Sequence, residues 1–257
     1  MKILALGDVT SPSAAEYLSN TLWDFRRKNK IDFVVVNGEN ASFITGASPD
    51  ILKKLISAGA DAVTGGNHTL ANQASFKFLE ESACCLRPVN YPADVPGKGY
   101  TILDAAGYRL MVINALGCVN MPVYPDNPFY SIERVLKREE GKYDFSILDF
   151  HAEATGEKLA MGYAFDGRIN IIYGTHTHIP TADEQVLPKG SGYITDIGMC
   201  GESGGVLGMD SSVVVERMRL GIPKRFSAAS GAVRAQGAVF TLDAGTGRVT
   251  EVHRVVF

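Results

Sequence analysis

The sequence predicts an α/β fold built from layered sheets. Two observations carry this. Short runs rich in Val and Ile, such as Val34-Val35-Val36 and Ile171-Ile172, recur along the chain, and the segments between them place apolar residues with helical period. A third observation bears on function as well: five of the runs end in clusters of Asp, Glu, Asn and His. In α/β sheets the carboxyl ends of strands form the rim on which ligands bind.

Ile3 to Leu6 reads as the first strand, followed by a helix from about Ala14 to Lys28 with Ser11 or Ser13 as its cap. Phe33 to Val36 is the second strand. Ser48-Pro49 opens the next helix, because Ser at the cap and Pro in the first turn suit a helix start, and Gly59 ends it. A short strand at Ala62 to Thr64 leads into Gly65-Gly66-Asn67-His68, with a helix over roughly Ala71 to Glu81. Pro88, Pro92 and Pro96 make Arg87 to Gly99 a loop.

Strands at Tyr100 to Leu103 and Leu110 to Asn114 flank an Ala106-Gly107 turn. A second Pro-rich loop precedes a helix near Ile132 to Arg138, and strands are expected at Phe145 to Asp149, Ile169 to Tyr173 and Tyr193 to Ile197. Asp210 caps a helix over Ser211 to Leu220 with Gly221 as its stop. Ala238 to Leu242 and Val249 to Val255 form a closing hairpin. No repeat or linker interrupts the pattern, so residues 1–257 are expected to form a single domain.

Composition narrows the function. A formal net charge of -3 over 257 residues gives no positive field to hold a long nucleic acid by its phosphates. A small anionic ligand fits if a metal supplies local positive charge. No stretch reaches the ~20 apolar residues of a membrane span, and Asp8 interrupts the first apolar run too early for a signal peptide. Cys84, Cys85, Cys118 and Cys200 lack C-x-x-C spacing and read as reduced, mostly buried thiols, which places the chain in the cytoplasm.

The strand-end clusters are Gly7-Asp8, Asn37-Gly38-Glu39-Asn40, Gly65-Gly66-Asn67-His68, Asp149-Phe150-His151 and Gly174-Thr175-His176-Thr177-His178. A single histidine is most often a side chain satisfied by one hydrogen bond. Here four of the five histidines fall in the clusters, and only His253 does not. Imidazole, carboxylate and amide oxygen together suit first-row ions such as Mn, Fe or Zn. Asp8, Glu39, Asn40, Asn67, His151, His176 and His178 are more ligands than one four-coordinate ion needs. They fit two ions sharing Glu39 as a bridge, and ions ~3.5–4 Å apart clamp a phosphoryl group and acidify a bound water.

With these blocks, together with Ala152-Glu153-Ala154-Thr155 and Tyr193-Ile194-Thr195-Asp196-Ile197-Gly198-Met199, the chain resembles the calcineurin-like metallophosphoesterase superfamily. The likeness is to its YmdB-type bacterial branch, described as 2′,3′-cyclic-nucleotide phosphodiesterases. The resemblance implies a four-layer α/β/β/α sandwich with the metal site at the C-terminal ends of strands. It implies that Asp8, Glu39, Asn40 and His178 bind one metal and Glu39, Asn67, His151 and His176 the other. The metals would be two divalent or mixed-valence ions, iron or manganese, and the chain a homo-oligomer. A metal-bridging hydroxide would attack a phosphodiester such as a 2′,3′-cyclic nucleotide, with His68 protonating the leaving oxygen. A phosphomonoesterase or phosphoprotein phosphatase on the same site, and a metal-loaded regulatory protein with incidental turnover, stay open as alternatives.

The chain departs from the broader superfamily at Thr10, where a histidine usually completes Asp-x-His, at Glu39, usually aspartate, and at Thr69, usually acidic; all three match the YmdB-like branch. Asn40 compensates for the missing histidine. Gly201 to Gly208 lacks a P-loop ending and reads as a turn. Arg87, Lys98, Lys158 and Arg168 could meet a substrate phosphate, but ordinary surface charge is the better reading of each. Tyr124 and Phe129 could stack on a base or pack their loop. Glu153 could orient a ligand or serve helix-start electrostatics.

Overall fold

A computed structural model describes every residue except 44, 45 and 124. Its first strand, β1 (Lys2–Leu6), pairs in parallel with β3 (Phe33–Asn37), which pairs in parallel with β4 (Ala62–Thr64). A two-residue strand, β2 (Asp8–Val9), lies just after β1. Helices α1 (Pro12–Asn29) and α2 (Pro49–Ser57) make the crossovers between these strands. Helix α2 begins as the sequence predicts, with Ser48 Oγ accepting from Ile51 N, whereas α1 begins at Pro12, two residues before the expected Ala14, and of its two candidate caps Ser11 is the one that accepts, from Ala14 N.

The expected helix over Ala71 to Glu81 is shorter than its apolar pattern implies. A 3₁₀ turn at Gln73–Ser75, capped by Asn72, precedes α3 (Phe76–Glu81). Asn72 Oδ1 accepts from Ala74 N, and such local side-chain bonds compete with the helical ladder. The hairpin of β5 (Tyr100–Ala105) and β6 (Tyr108–Leu116) turns at Ala106 and Gly107, both at positive φ. Helix α4 (Pro128–Arg138) then leads to β7 (Phe145–His151), α5 (Thr155–Phe165) and β8 (Ile171–Thr175).

Helix α5 has no range in the sequence pattern, which carries only the helix-start alternative for Glu153. It has no capping side chain at Ala154, and its buried residues include Lys158 and Gly162. The expected Tyr193–Ile197 strand stops at Ile194: β9 (Gln185–Val186) and β10 (Gly192–Ile194) are followed by β11 (Met199–Glu202). The first part of the glycine-rich turn is therefore strand. Helix α6 (Ser211–Leu220) starts at Asp210 and stops at Gly221 as predicted, and β12 (Val233–Asp243) and β13 (Arg248–Val256) close the chain as a hairpin.

Among the described residues, one sheet runs β2-β11-β12-β1-β3-β4, with β13 also on β12, and the other runs β5-β6-β7-β8-β10-β9. Three cores separate the layers. Leu4, Val34 and Val36 pack under Leu18, Leu22 and Leu52 of α1 and α2. Ile3, Ala5 and Val35 of the first sheet meet Val112, Ile147 and Ile171 of the second. Ile113, Leu148 and Ile172 pack against Ile132, Met161 and Phe165 of α4 and α5. Alternate residues of one strand thus face different layers, the period-2 signature of strands buried on both faces. The order is α/β/β/α.

Because β1, β3 and β4 are parallel, as are β6, β7, β8 and β10, their carboxyl ends collect at the same rim. No described helix is long and apolar enough to cross a membrane. Of the four thiols, Cys85 and Cys200 are buried, Cys84 is half-buried and Cys118 is exposed, so the thiols are less buried than expected.

Candidate metal centre

The rim brings the seven candidate ligands into two touching groups. In the first, His151 Nε2 lies 3.1 Å from Glu39 Oε1, 3.1 Å from Asn67 Oδ1 and 3.0 Å from His176 Nδ1. In the second, His178 Nε2 lies 3.1 Å from Asp8 Oδ2. Asn40 Nδ2 donates to Glu39 Oε1 at 3.0 Å, and the backbone N–H of His68 donates to Glu39 Oε2 at 3.0 Å. Glu39 is thereby held at the junction of the groups, beside the loop that carries His68.

The hydrogen-bond network assigns the histidine tautomers. Thr175 Oγ1 donates to Asp149 Oδ1 (2.7 Å), so it accepts from His151 Nδ1 (2.9 Å), and in the neutral ring Nε2 is the nitrogen that presents a lone pair. Asp149 is fixed in turn by Thr64 and by Asn37 Nδ2 (3.1 Å). Carboxylate-to-histidine orientation of this kind is how metal sites set a ligand's tautomer. Similarly His178 Nδ1 donates to Leu207 O (3.2 Å), and His176 Nε2 faces Glu153 Oε2 (3.1 Å), turning the other ring nitrogens inward.

With the imidazoles neutral, the inward-facing atoms are acceptors meeting acceptors: Glu39 Oε1, Asn67 Oδ1, His151 Nε2 and His176 Nδ1 in one group, Asp8 Oδ2 and His178 Nε2 in the other. Two further buried oxygens, Asp8 Oδ1 and Asn40 Oδ1, have no hydrogen-bond partner. Buried polar atoms without partners are costly, and a cation satisfies the whole set at once. Ligand atoms of Glu39, His151 and His176 all lie within 4.8 Å of one another.

Electrostatics point the same way. Burial pushes His151 down, but Glu39, Asp8 and Asp149 outweigh it and hold its pKa up to about 9. Burial and then the His151 charge push His176 down to about 4. Burial would raise Asp8 and Glu39, yet the histidines bring both below their usual range. Burial pushes His178 down too, yet its bond to Asp8 holds it above the usual histidine range, so the two fully buried carboxylates draw positive charge onto the imidazoles. Metal cations supply that charge without crowding the imidazoles.

Close packing sets the geometry. A Cβ on Gly66 would lie 2.3 Å from Glu39 Oε2 and 2.4 Å from His151 Nε2, so the backbone can pass there only as glycine. Thr69, standing where an acidic residue is usual, ties the same turn: its Oγ1 accepts from Gly66 N (2.7 Å) and donates to Gly66 O (2.9 Å).

His176 and His178 both have positive φ, 99° and 63°, which residues with a Cβ rarely adopt. Thr177 between them is pinned by Asp196, whose Oδ2 accepts from its N (3.2 Å) and Oγ1 (2.8 Å). Asp196 Oδ2 also accepts from Lys158 Nζ at 2.7 Å, and both side chains of that ion pair are 1% exposed. Lys158, expected at the surface, is thus an interior charge. Arg87 is buried too, with a guanidinium nitrogen donating to Pro88 O, while Lys98 and Arg168 are exposed as expected.

Sequence reasoning passed over Asn37, Asp149, Thr175 and the Lys158–Asp196 pair. The first three sit in or beside the strand-end clusters, and that placement was the available signal. Nothing in the sequence marked Lys158. Tyr124 lies outside the described residues, and Phe129 packs on Phe165 with ring centroids 6.3 Å apart, so it serves its loop and the core.

Residues 4–255 match the family model of YmdB-like proteins. The chain is 39% identical over 256 residues to the 2′,3′-cyclic-nucleotide 2′-phosphodiesterase of Bacillus subtilis (strain 168), covering all of this chain and 97% of that protein. It superposes with TM-score 0.92 on the crystal structure of a hypothetical protein from Thermus thermophilus (35% identity, 100% and 99% of the two chains). A phosphatase from Mycoplasma pneumoniae gives the same TM-score at 31% identity, over 100% and 93% of the two chains. These likenesses span the whole sandwich and its rim, and the chain belongs to the YmdB-like family of metallophosphoesterases.

Proposed function

We propose that this protein hydrolyses a phosphodiester, with 2′,3′-cyclic nucleotides as the favoured class, at a centre of two metal ions. The observation that carries this reading is the pair of inward-facing lone-pair sets meeting at Glu39, with His68 beside them in the same cavity. Asp8, Glu39, Asn40 and His178 would hold one ion, and Glu39, Asn67, His151 and His176 the other. Iron or manganese suits such a nitrogen- and oxygen-rich donor set. When bound, the ions supply charge against the phosphoryl oxygens and lower the pKa of water.

The remaining work falls to the chain's own residues. Asn40 and the His68 backbone N–H orient the two oxygens of Glu39. Asp149 and Thr175 keep the proton of His151 on Nδ1. His68, half-buried beside the ligand Asn67, protonates the leaving ribose oxygen, so ring opening leaves a phosphomonoester. The name of the Bacillus subtilis relative supports a cyclic diester as substrate. A phosphatase reading draws support from the Mycoplasma pneumoniae relative, since both reactions use the same clamp.

The test is elemental analysis of the native protein joined to rates on 2′,3′-cyclic AMP, 3′,5′-cyclic AMP and p-nitrophenyl phosphate. Two metal equivalents and the highest kcat/KM on the 2′,3′-cyclic diester are expected. A higher rate on the monoester moves the assignment to a phosphatase. Full metal content with nucleotide binding but no turnover moves it to a regulatory protein. His68→Gln should keep both metals and lose turnover by about 10²–10⁴-fold; retained turnover would remove His68 from its role.

A further inference from the structure

The cavity over the centre, ≈ 380 Å³, has two unlike halves. One is polar and contains Glu39, Asn40, His68, His176 and His178. The other is formed by Val206, Leu207, Met209, Val214, Met218 and Phe226, and contributes no polar side chain among its described lining residues. The volume lies within the range of small-molecule sites. A ligand filling it must carry a phosphoryl group at one end and an apolar face at the other.

The apolar half is built rather than incidental. Val206 and Met209 exchange backbone hydrogen bonds at 2.8 and 2.9 Å, closing a two-residue turn. Both central residues, Leu207 (φ 54°) and Gly208 (φ 86°), are left-handed, a conformation disfavoured for leucine. The strained residue does two things at once: its carbonyl accepts from His178 Nδ1, and its side chain lines the cavity. Gly208 packs against Thr10 beside Asp8, where a Cβ would lie 3.1 Å from Thr10 Oγ1. The guanidinium of Arg217 lies 4.5 Å from the ring centroid of Phe226 and steadies that ring.

We propose that the Val206–Met209 turn, the Val214 and Met218 face of α6, and Phe226 form the subsite for the substrate's nucleobase. Binding there is by ring contact and dispersion, which every base offers. None of the six side chains that form this half donates or accepts a hydrogen bond, so purines and pyrimidines are accepted alike. The inference rests on the phosphodiesterase reading for its substrate, but the subsite is testable by itself.

The experiment compares metal-loaded wild type, Phe226→Ala and Met218→Ala on the four 2′,3′-cyclic nucleotides and on glycerol 1,2-cyclic phosphate, which keeps the ring and lacks the base. Expected are kcat/KM values within about tenfold across the four bases, and a loss on nucleotides in both variants about tenfold greater than on the base-less diester. In parallel, adenosine and uridine, which carry no phosphate, are titrated into protein with ¹³C-methyl methionine. Both should shift the Met209 and Met218 signals. Equal losses on all diesters, unshifted Met209 and Met218, or a hundredfold preference for one base would each overturn the proposal. Shifted signals with no diester turned over would leave the subsite standing and overturn the phosphodiesterase reading.

Discussion

Replacing Lys158 with methionine removes a charge from the interior while keeping most of the side-chain length. Its Nζ lies 2.7 Å from Asp196 Oδ2, with both side chains 1% exposed. At an effective dielectric near 20 the attraction is about 6 kcal/mol, and desolvation cancels much of it. Deleting one partner is costlier than the net value of the pair, about 3–5 kcal/mol, because the other charge is left behind. Here the lower part of that range applies, since Asp196 keeps three donors, Thr177 N, Thr177 Oγ1 and Gly198 N. With an unfolding entropy of about 0.5 kcal/mol/K for a chain of this size, a cost of about 3–4 kcal/mol lowers Tm by about 6–8 °C.

The same substitution loosens the grip on Thr177 and so on the two histidines beside it at positive φ. We expect kcat on 2′,3′-cyclic AMP at 25 °C to fall at least tenfold, and the visible spectrum of the cobalt-loaded protein to change. Leu18→Ala is the control: a fully buried leucine on α1, away from the rim, whose truncation costs about 2–5 kcal/mol. It should lower Tm similarly and keep kcat. An unchanged Tm in Lys158→Met would refute the energetics. A lowered Tm with unchanged kcat and cobalt spectrum would show the pair to be structural only.

Two further substitutions probe the centre. Glu39→Gln keeps the side chain's size but removes the negative charge at the junction, and elemental analysis should find fewer than one metal per chain; two retained equivalents would exclude Glu39 as the bridge. Gly66→Ala places a methyl group within 2.4 Å of Glu39 and His151. Displacement of either by about 1 Å is expected to cost at least 10²-fold in kcat/KM, and an unaffected rate would show the site to be more pliable than its packing implies.

Much of this was legible in the chain itself. Val- and Ile-rich runs recurring with helical segments between them leave a parallel layered sheet as the economical arrangement, and parallel strands send their carboxyl ends to one side. Asp8, Glu39, Asn67, His151 and His176 are therefore placed at one rim by the sequence alone. Capping chemistry placed the starts of α2 and α6 because Ser48 and Asp210 act within a few residues of themselves, and narrowed that of α1 to Ser11 or Ser13. Local signals failed where their physics was absent. Helix α5 has neither a capping side chain nor an ordinary apolar face, because it packs through Gly162 against the Tyr193 ring and turns Lys158 inward.

Only the tertiary structure decided how the rim is held. Lys158 looks like any surface lysine until β8 and β10 bring Asp196, 38 residues away, against it. The His151 tautomer depends on Asp149 and Thr175, joined by the parallel register of β7 and β8. Leucine at 207 gives no hint in sequence of a left-handed backbone whose carbonyl holds His178. A residue's type and near neighbours specify strands, caps and ligand chemistry, whereas the partner of a buried charge or orphaned lone pair is set by contacts between distant segments, which exist only once the layers have packed.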